Sequence, residues 1–232
     1  LIWAIGLEKV SELYSITLLH ATNLYTPRDM ATKILRESVP VLQITLQSAF
    51  VQRLVTVLQS GFFCSSVQGK TLLTFLSSLP GFTEDYIENR LQTIFLNGDS
   101  VDDMNLTFSE EFVVLALSAA MPGLAGSLFR KGSPLTVLRK TAVQKQLKSS
   151  ESPVVVQVKL FNVIAVEIGG TLLADGAVLD CDDLLSFLRL RPTLVNAMGN
   201  ITVDNEPITP QELLNHLEQF SKILLICNSN DD

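Results

Sequence analysis

The chain has 232 residues, of which 47% are hydrophobic and only 18% charged, and its formal net charge is -7. That composition supplies one large or two small packed domains and excludes a disordered polymer. The acidic balance excludes a general nucleic-acid binder, and no uncharged apolar run reaches transmembrane length, so neither nucleic acid nor membrane is expected as a partner.

Residues 1–40 read as a helical N-terminal segment, with Ile2, Ile5, Val10, Leu13 and Leu18 at mixed spacings. Leu1 to Leu7 has no basic stretch before it and no small-residue cleavage site after it, which does not fit a signal peptide. Thr26-Pro27-Arg28-Asp29 is a clearer helix start: a capping hydroxyl, a proline suited to the first helical position, and an acid near the positive helix end. Pro40 ends that helix near Ser38. His20 has no acidic or cysteine partner at ligand spacing and reads as structural.

Val41 to Leu46 suits a strand. Leu46, Phe50, Leu54 and Leu58 then recur every four residues, a helical stripe that Gly61 can close. Phe62-Phe63-Cys64 fits a short strand and Thr71 to Leu79 a short helix stopped by Pro80-Gly81, while Thr83 can cap one further turn. Thr93 to Leu96 is a strand signal followed by Asn97-Gly98, a dipeptide that favours a type I′ hairpin because both positions tolerate positive φ. Asp99, Asp102 and Asp103 lack the spacing of a calcium loop and read as a solvated turn, so no metal is assigned. Phe112 to Leu117 is a second buried-strand run.

Residues 119–153 hold the glycines, prolines and serines of a connector, with the linker proper at 124–153. Basic residues concentrate there, and Arg130, Lys131, Arg139 and Lys140 are the candidate contact for an anionic partner; the alternative is a solvated connector. Val154 to Leu160 is a strand, and Phe161, Ile164 and Ile168 begin a helix that Gly169-Gly170 should close. Asp180 or Asp182 caps the helix DDLLSFLRL, Asp182 to Leu190, Ile201 to Val203 is a strand, and Asp204 to Pro207 a turn. Thr209-Pro210-Gln211-Glu212 opens a capped helix, and Ile223 to Cys227 is the final strand.

The second half repeats the first. Leu46 to Gly61 corresponds to Leu160 to Gly176, Leu72 to Leu76 to Leu184 to Leu188, Ile94 to Val101 to Ile201 to Ile208, and Val113 to Leu117 to Ile223 to Cys227. Four matches in one order imply two copies of a small unit. On VQVKLFNVIAVEIG with DDLLSFLRL, and IFLNGDSVDD with FVVLAL, the unit resembles the β-grasp, or ubiquitin-like, fold. Within it the resemblance is to the sulfur-carrier branch, the molybdopterin-synthase small subunit and the thiazole-biosynthesis carrier. The implied fold is α+β: two tandem β-grasp-like modules, 41–123 and 154–232, behind a helical segment. Carriers of this branch react through a terminal Gly-Gly; here one copy runs on into AMPGLAGS and the other into CNSNDD.

No catalytic residue is assigned. His20 and His216 sit on separate segments, and no nucleophile-elbow or zinc-protease motif occurs. Cys64, Cys181 and Cys227 are far apart with no CxxC, so no zinc site or disulfide framework is indicated and a reducing cytoplasm is the simplest setting. Cys181 lies near a helix start, where the dipole can lower a thiol pKa. The expected function is a non-enzymatic protein-binding module without a cofactor, in contact with its partner through a flanking strand near Val41 to Leu46 or Val154 to Leu160. The alternatives are a sulfur-carrier-related accessory in molybdenum, tungsten or thiamine cofactor assembly, and a non-catalytic subunit of an enzyme complex.

Overall fold

The computed structural model describes residues 39–145 and 152–230. The expected helices before Ser38, with His20, and part of the connector lie outside those residues. Strand β1 (Val41–Leu46) is followed by α1 (Ser48–Leu54), a 3-10 turn (Val55–Gln59), β2 (Phe62–Val67), α2 (Leu72–Leu76) and α3 (Glu84–Asn89). The hairpin β3 (Thr93–Leu96) and β4 (Asp99–Ser100) leads to β5 (Phe112–Ser118), α4 (Gly123–Phe129) and a second 3-10 turn (Thr136–Leu138). The second half runs β6 (Pro153–Phe161), α5 (Val163–Asp175), β7 (Ala177–Asp180), α6 (Cys181–Arg189), α7 (Pro192–Asn196), β8 (Gly199–Val203), β9 (Glu206–Pro207), α8 (Pro210–Leu217) and β10 (Lys222–Ser229).

The architecture is mixed α and β, built on one ten-stranded sheet in the order β4-β3-β5-β6-β2-β7-β10-β1-β8-β9. The two halves of the chain exchange a strand. β1, from the first half, pairs only with β10 and β8 of the second. β6, from the second, pairs only with β5 and β2 of the first. The halves meet where β2 runs antiparallel to β7. Outward from that seam each half has the same sense of pairing: antiparallel, parallel, antiparallel, antiparallel. The parallel pairs are β5 with β6 and β10 with β1, but hairpin strand β3 lies beside β5 whereas β8 lies beside the borrowed β1. The expected boundary between two modules along the chain is therefore not a boundary in the sheet.

Local signals explain most of the elements. Thr71, Thr83, Asp180 and Thr209 each accept a hydrogen bond from the first turn of the helix that follows, and Thr209 with Glu212 completes a reciprocal capping box. Asn97 and Gly98 have φ of 51° and 87°, and Asp204 and Asn205 have 50° and 70°, so both hairpin turns use the positive φ of a type I′ turn. One expectation fails: Gly169-Gly170 does not close a helix. α5 continues to Asp175 and ends at Gly176, whose φ is 102°. The cause is tertiary, because a Cβ on Gly169 would stand 2.6 Å from Cβ of Val55. The glycine lets α5 close onto the 3-10 turn.

Strand burial alternates. Leu42, Ile44 and Leu46 of β1, and Val154, Val156, Val158 and Leu160 of β6, are buried on one face. Every α-helix among the described residues except α4 adds buried apolar side chains to the same cluster. The long helix α5 supplies Ile164, Ala165, Ile168, Leu172 and Leu173. The intervening strand residues form a second face, half-buried for the most part.

Candidate interaction surface

The positions expected to offer a strand edge do not do so. β1 and β6 are interior strands with a partner on each side. Strand exchange has consumed their backbone groups, so a contact through an edge at Val41 to Leu46 or Val154 to Leu160 is ruled out. β5 and β10, the most apolar runs, are interior as well. Of the true edges, β9 ends in Pro207, which has no N–H to give a neighbouring strand. The other, β4, is covered by the chain's own connector. The Ser100 N–H and hydroxyl donate to the Lys140 carbonyl at 3.2 and 2.8 Å, and the Ala142 N–H donates back to the Ser100 carbonyl at 2.8 Å. Covering an edge in this way blocks further strand addition.

The four basic connector residues fall into two groups. Arg139 and Lys131 are spent internally. The Arg139 side chain is 1% exposed and donates to both carboxylate oxygens of Asp102, at 2.5 and 2.7 Å. Its other terminal nitrogen donates to the carbonyls of Leu128 and Arg130. Lys131 donates to the Ile87 carbonyl at 3.0 Å near the C-terminal end of α3, and burial holds its pKa below the usual lysine value. Arg130 and Lys140 remain exposed, Lys140 with Asp99 at 2.8 Å. Asp102 also accepts from the Gly132 N–H, and Lys145 pairs with Glu110 at 2.5 Å while Gln144 bonds to Thr107. The described part of the connector, up to Lys145, is thus pinned against the β3–β4 end of the sheet.

Apolar residues missed in the sequence reading complete this surface. Leu124 of α4, Val137 and Leu138 of the second 3-10 turn, and Val143 are exposed, Val137 to 87%. α4 packs against that turn, and Phe129 at its end meets Phe95 of β3 with ring centroids 5.2 Å apart. A small cleft of about 70 Å³ with a mixed polar and apolar lining lies between the hairpin and residues 106–110 and 142–145. A separate apolar cleft of about 160 Å³ lies on the helix layer among Leu188, Pro192, Val195, Pro210 and Leu214.

Among the described residues, no group of three or more His, Cys, Asp or Glu is placed to hold a metal ion, and no helix is long and apolar enough to cross a membrane. His216 is half-buried on α8, its Nδ1 2.9 Å from the Glu212 carbonyl one turn back. Cys181 does not have the lowered pKa that its place at a helix start suggests. Burial pushes its thiol up to about 11, and the Asp180 and Asp182 carboxylates add to the effect. Burial likewise raises Cys227 to about 11. No family model, curated protein or solved structure matches the chain.

Proposed function

We propose that this chain is a non-catalytic protein-binding module on a duplicated ubiquitin-like unit, and that its partner docks on the connector. One observation carries the reading: Leu124, Val137, Leu138 and Val143 are exposed on a segment that buried and surface polar contacts hold in place. A free linker has no reason to be pinned, and a pinned segment has no reason to expose large apolar side chains unless something covers them. Arg130 and Lys140 beside these residues select a partner whose apolar contact is rimmed with acidic groups. The β-grasp reading is supported by the order β2-β6-β5-β3-β4, in which a parallel central pair is flanked by antiparallel strands and a terminal hairpin. Carrier chemistry gains no support in the first copy, where β5 runs on into α4.

The test is recovery of partners from the native host with the wild-type chain and with Val137→Asp/Leu138→Asp, followed by titration of the purified partner. A partner whose affinity for the double variant falls at least tenfold, with unchanged circular dichroism, supports the reading. Equal affinity, turnover by the isolated protein, or a thiocarboxylate formed with an activating enzyme and ATP overturns it.

A further inference from the structure

Asn97-Gly98 is the only Asn-Gly pair in the chain. A glycine has no side chain to shield its backbone nitrogen from the residue before it, and the space around Gly98 is open, with nothing within 4 Å of where a Cβ would stand. Both residues are exposed at the tip of the β3–β4 hairpin, so water reaches them. The fold nevertheless holds the Asn97 amide. The Asn97 N–H donates to the Val114 carbonyl at 2.8 Å, and Oδ1 accepts from the Val114 N–H at 2.8 Å. Nδ2 donates to Oε2 of Glu110 at 3.2 Å, while Oε1 of the same carboxylate accepts from Lys145. Both polar atoms of the side chain are therefore engaged, and the pairing of Leu96 with Asp99 closes the turn around them.

We propose that Asn97 is a latent self-modification site, converted to aspartate and isoaspartate through a cyclic imide, and that the Glu110 carboxylate holds it in the amide form. Hydroxide removes the proton from the Gly98 nitrogen, which attacks Cγ of Asn97. The N–Cγ bond forms, the Cγ–Nδ2 bond breaks, and ammonia leaves with a proton taken from water. One water then opens the imide. Cleavage between nitrogen and Cγ gives aspartate, and cleavage between nitrogen and the main-chain carbonyl gives isoaspartate. Attack requires Cγ to swing toward the Gly98 nitrogen, which the bonds to Val114 and Glu110 oppose, so conversion proceeds through local opening of the hairpin tip. Either product sets a carboxylate where the amide donates to Glu110, and attraction becomes repulsion. Isoaspartate also inserts a carbon into the main chain of the turn that sets the Leu96–Asp99 register. It should therefore undo β4, the strand against which Lys140 and Ala142 hold the connector. The proposal stands whether or not a partner docks on the connector.

The test is incubation in mildly alkaline buffer, with peptide mapping by mass spectrometry to count amide-to-acid conversion at Asn97 and isoaspartate methyltransferase labelling to identify the isomer. A free peptide of residues 91–101 is the reference. The folded wild-type chain should convert at least tenfold more slowly than the peptide, and in urea it should convert at the peptide's rate; neither measurement needs a variant to fold. Glu110→Ala, which removes the acceptor from Nδ2, should speed conversion of the folded chain at least threefold. Lys145→Ala, which leaves that acceptor in place, should not. Asn205, in the equivalent turn but followed by Glu206, should stay unconverted in the same samples. A folded chain that converts as fast as the peptide overturns the proposal, as does a peptide that does not convert. Equal rates in Glu110→Ala and wild type, or equal acceleration by the two substitutions, remove Glu110 as the holding group.

Discussion

Arg139 reaches Asp102 across 37 positions of chain and is gripped by both carboxylate oxygens, at 2.5 and 2.7 Å, with its side chain almost wholly buried. This pair joins the connector to the loop after the β3–β4 hairpin. Its value is asymmetric. Two charges brought together in a low-dielectric site gain little over an apolar pair, but one left alone is costly. Asp102→Ala or Arg139→Ala should therefore each cost about 3–5 kcal/mol in urea unfolding. The double substitution Asp102→Leu/Arg139→Met should cost clearly less than the two single losses added together. Additive losses would mean that the two side chains act separately.

Adjacent glycines in α5 should respond in opposite directions. A methyl group on Gly169 meets Val55 Cβ at 2.6 Å and Cγ1 at 2.8 Å, contacts that force the helix off the 3-10 turn. Gly169→Ala should destabilise by about 1–3 kcal/mol, the usual cost of overpacking. At Gly170 the nearest atom is Val51 Cγ1 at 3.8 Å, ordinary contact. Gly170→Ala removes backbone freedom from the unfolded chain and should stabilise by about 0.5–1 kcal/mol. Thermal melts of the two variants decide the matter, and a common sign would remove the argument.

The same dipeptide shows what was legible in the sequence and what was not. Signals confined to a few neighbouring residues were readable: the caps at Thr83 and Thr209, and the turns at Asn97-Gly98 and Asp204-Asn205. Whether a glycine ends a helix or lies inside one depends on what packs against it, and Val55 is more than a hundred residues from Gly169. β7, only four residues long behind Gly176, and the five-residue α7 gave too little pattern to detect. Strand exchange was illegible for the same reason, since β1 and β6 carry the alternation of interior strands without naming their neighbours. At the candidate surface the basic residues could be singled out by composition, but only Asp102 and the Ile87 carbonyl reveal that Arg139 and Lys131 are used internally. The exposed Leu124 and Val137 resemble ordinary buried residues in the sequence.

Stability should fall in acid through two carboxylates. Glu167 is held below its ordinary pKa first by the hydrogen bond from Arg90 and then by that from the Tyr86 hydroxyl, which lies 2.7 Å away. Glu212 is held low first by the Thr209 N–H and then by the Thr209 hydroxyl. A folded-state value below the unfolded one adds stability at pH above the unfolded value near 4.5. That contribution is lost as pH falls through the folded value. Asp183 works against this trend, because burial, and then Asp180, raise its pKa and favour the neutral acid. Comparing urea midpoints at pH 7 and pH 3, Glu167→Gln should lower the first, leave the second nearly unchanged, and so flatten the profile. An equal drop at both pH values would show that the Glu167 charge is not the cause.

The buried thiols should be inert while the chain is folded. With Cys181 and Cys227 both pushed up to about 11, only about one thiol in a thousand is ionised at pH 8, and burial further limits access. Mass-resolved labelling with a maleimide should modify both at least 100-fold more slowly in buffer than in urea. Rapid labelling of Cys181 in the native protein would restore the idea of a reactive helix-start thiol.

Strand exchange makes a sharp prediction for the two halves of the chain taken apart. Without residues 152–232, β1 loses both of its partners, and β5 and β2 lose β6, the strand they share. β6 alone brings the buried side chains of Val154, Val156, Val158 and Leu160 to that half of the sheet. At about 1.5–3 kcal/mol for each fully buried aliphatic side chain, their removal forfeits roughly 6–12 kcal/mol. That is comparable with the entire stability of an ordinary domain, about 5–15 kcal/mol. The complementary piece loses β1, with buried Leu42, Ile44 and Leu46, from between β10 and β8. Neither 39–145 nor 152–232 should therefore show a cooperative urea transition by itself. Mixed in equal amounts they should recover one, because each holds the strand the other lacks. A sigmoidal transition in either piece alone would mean that a half can close its sheet with its own first strand, and the exchange would then be a preference rather than a requirement of the fold.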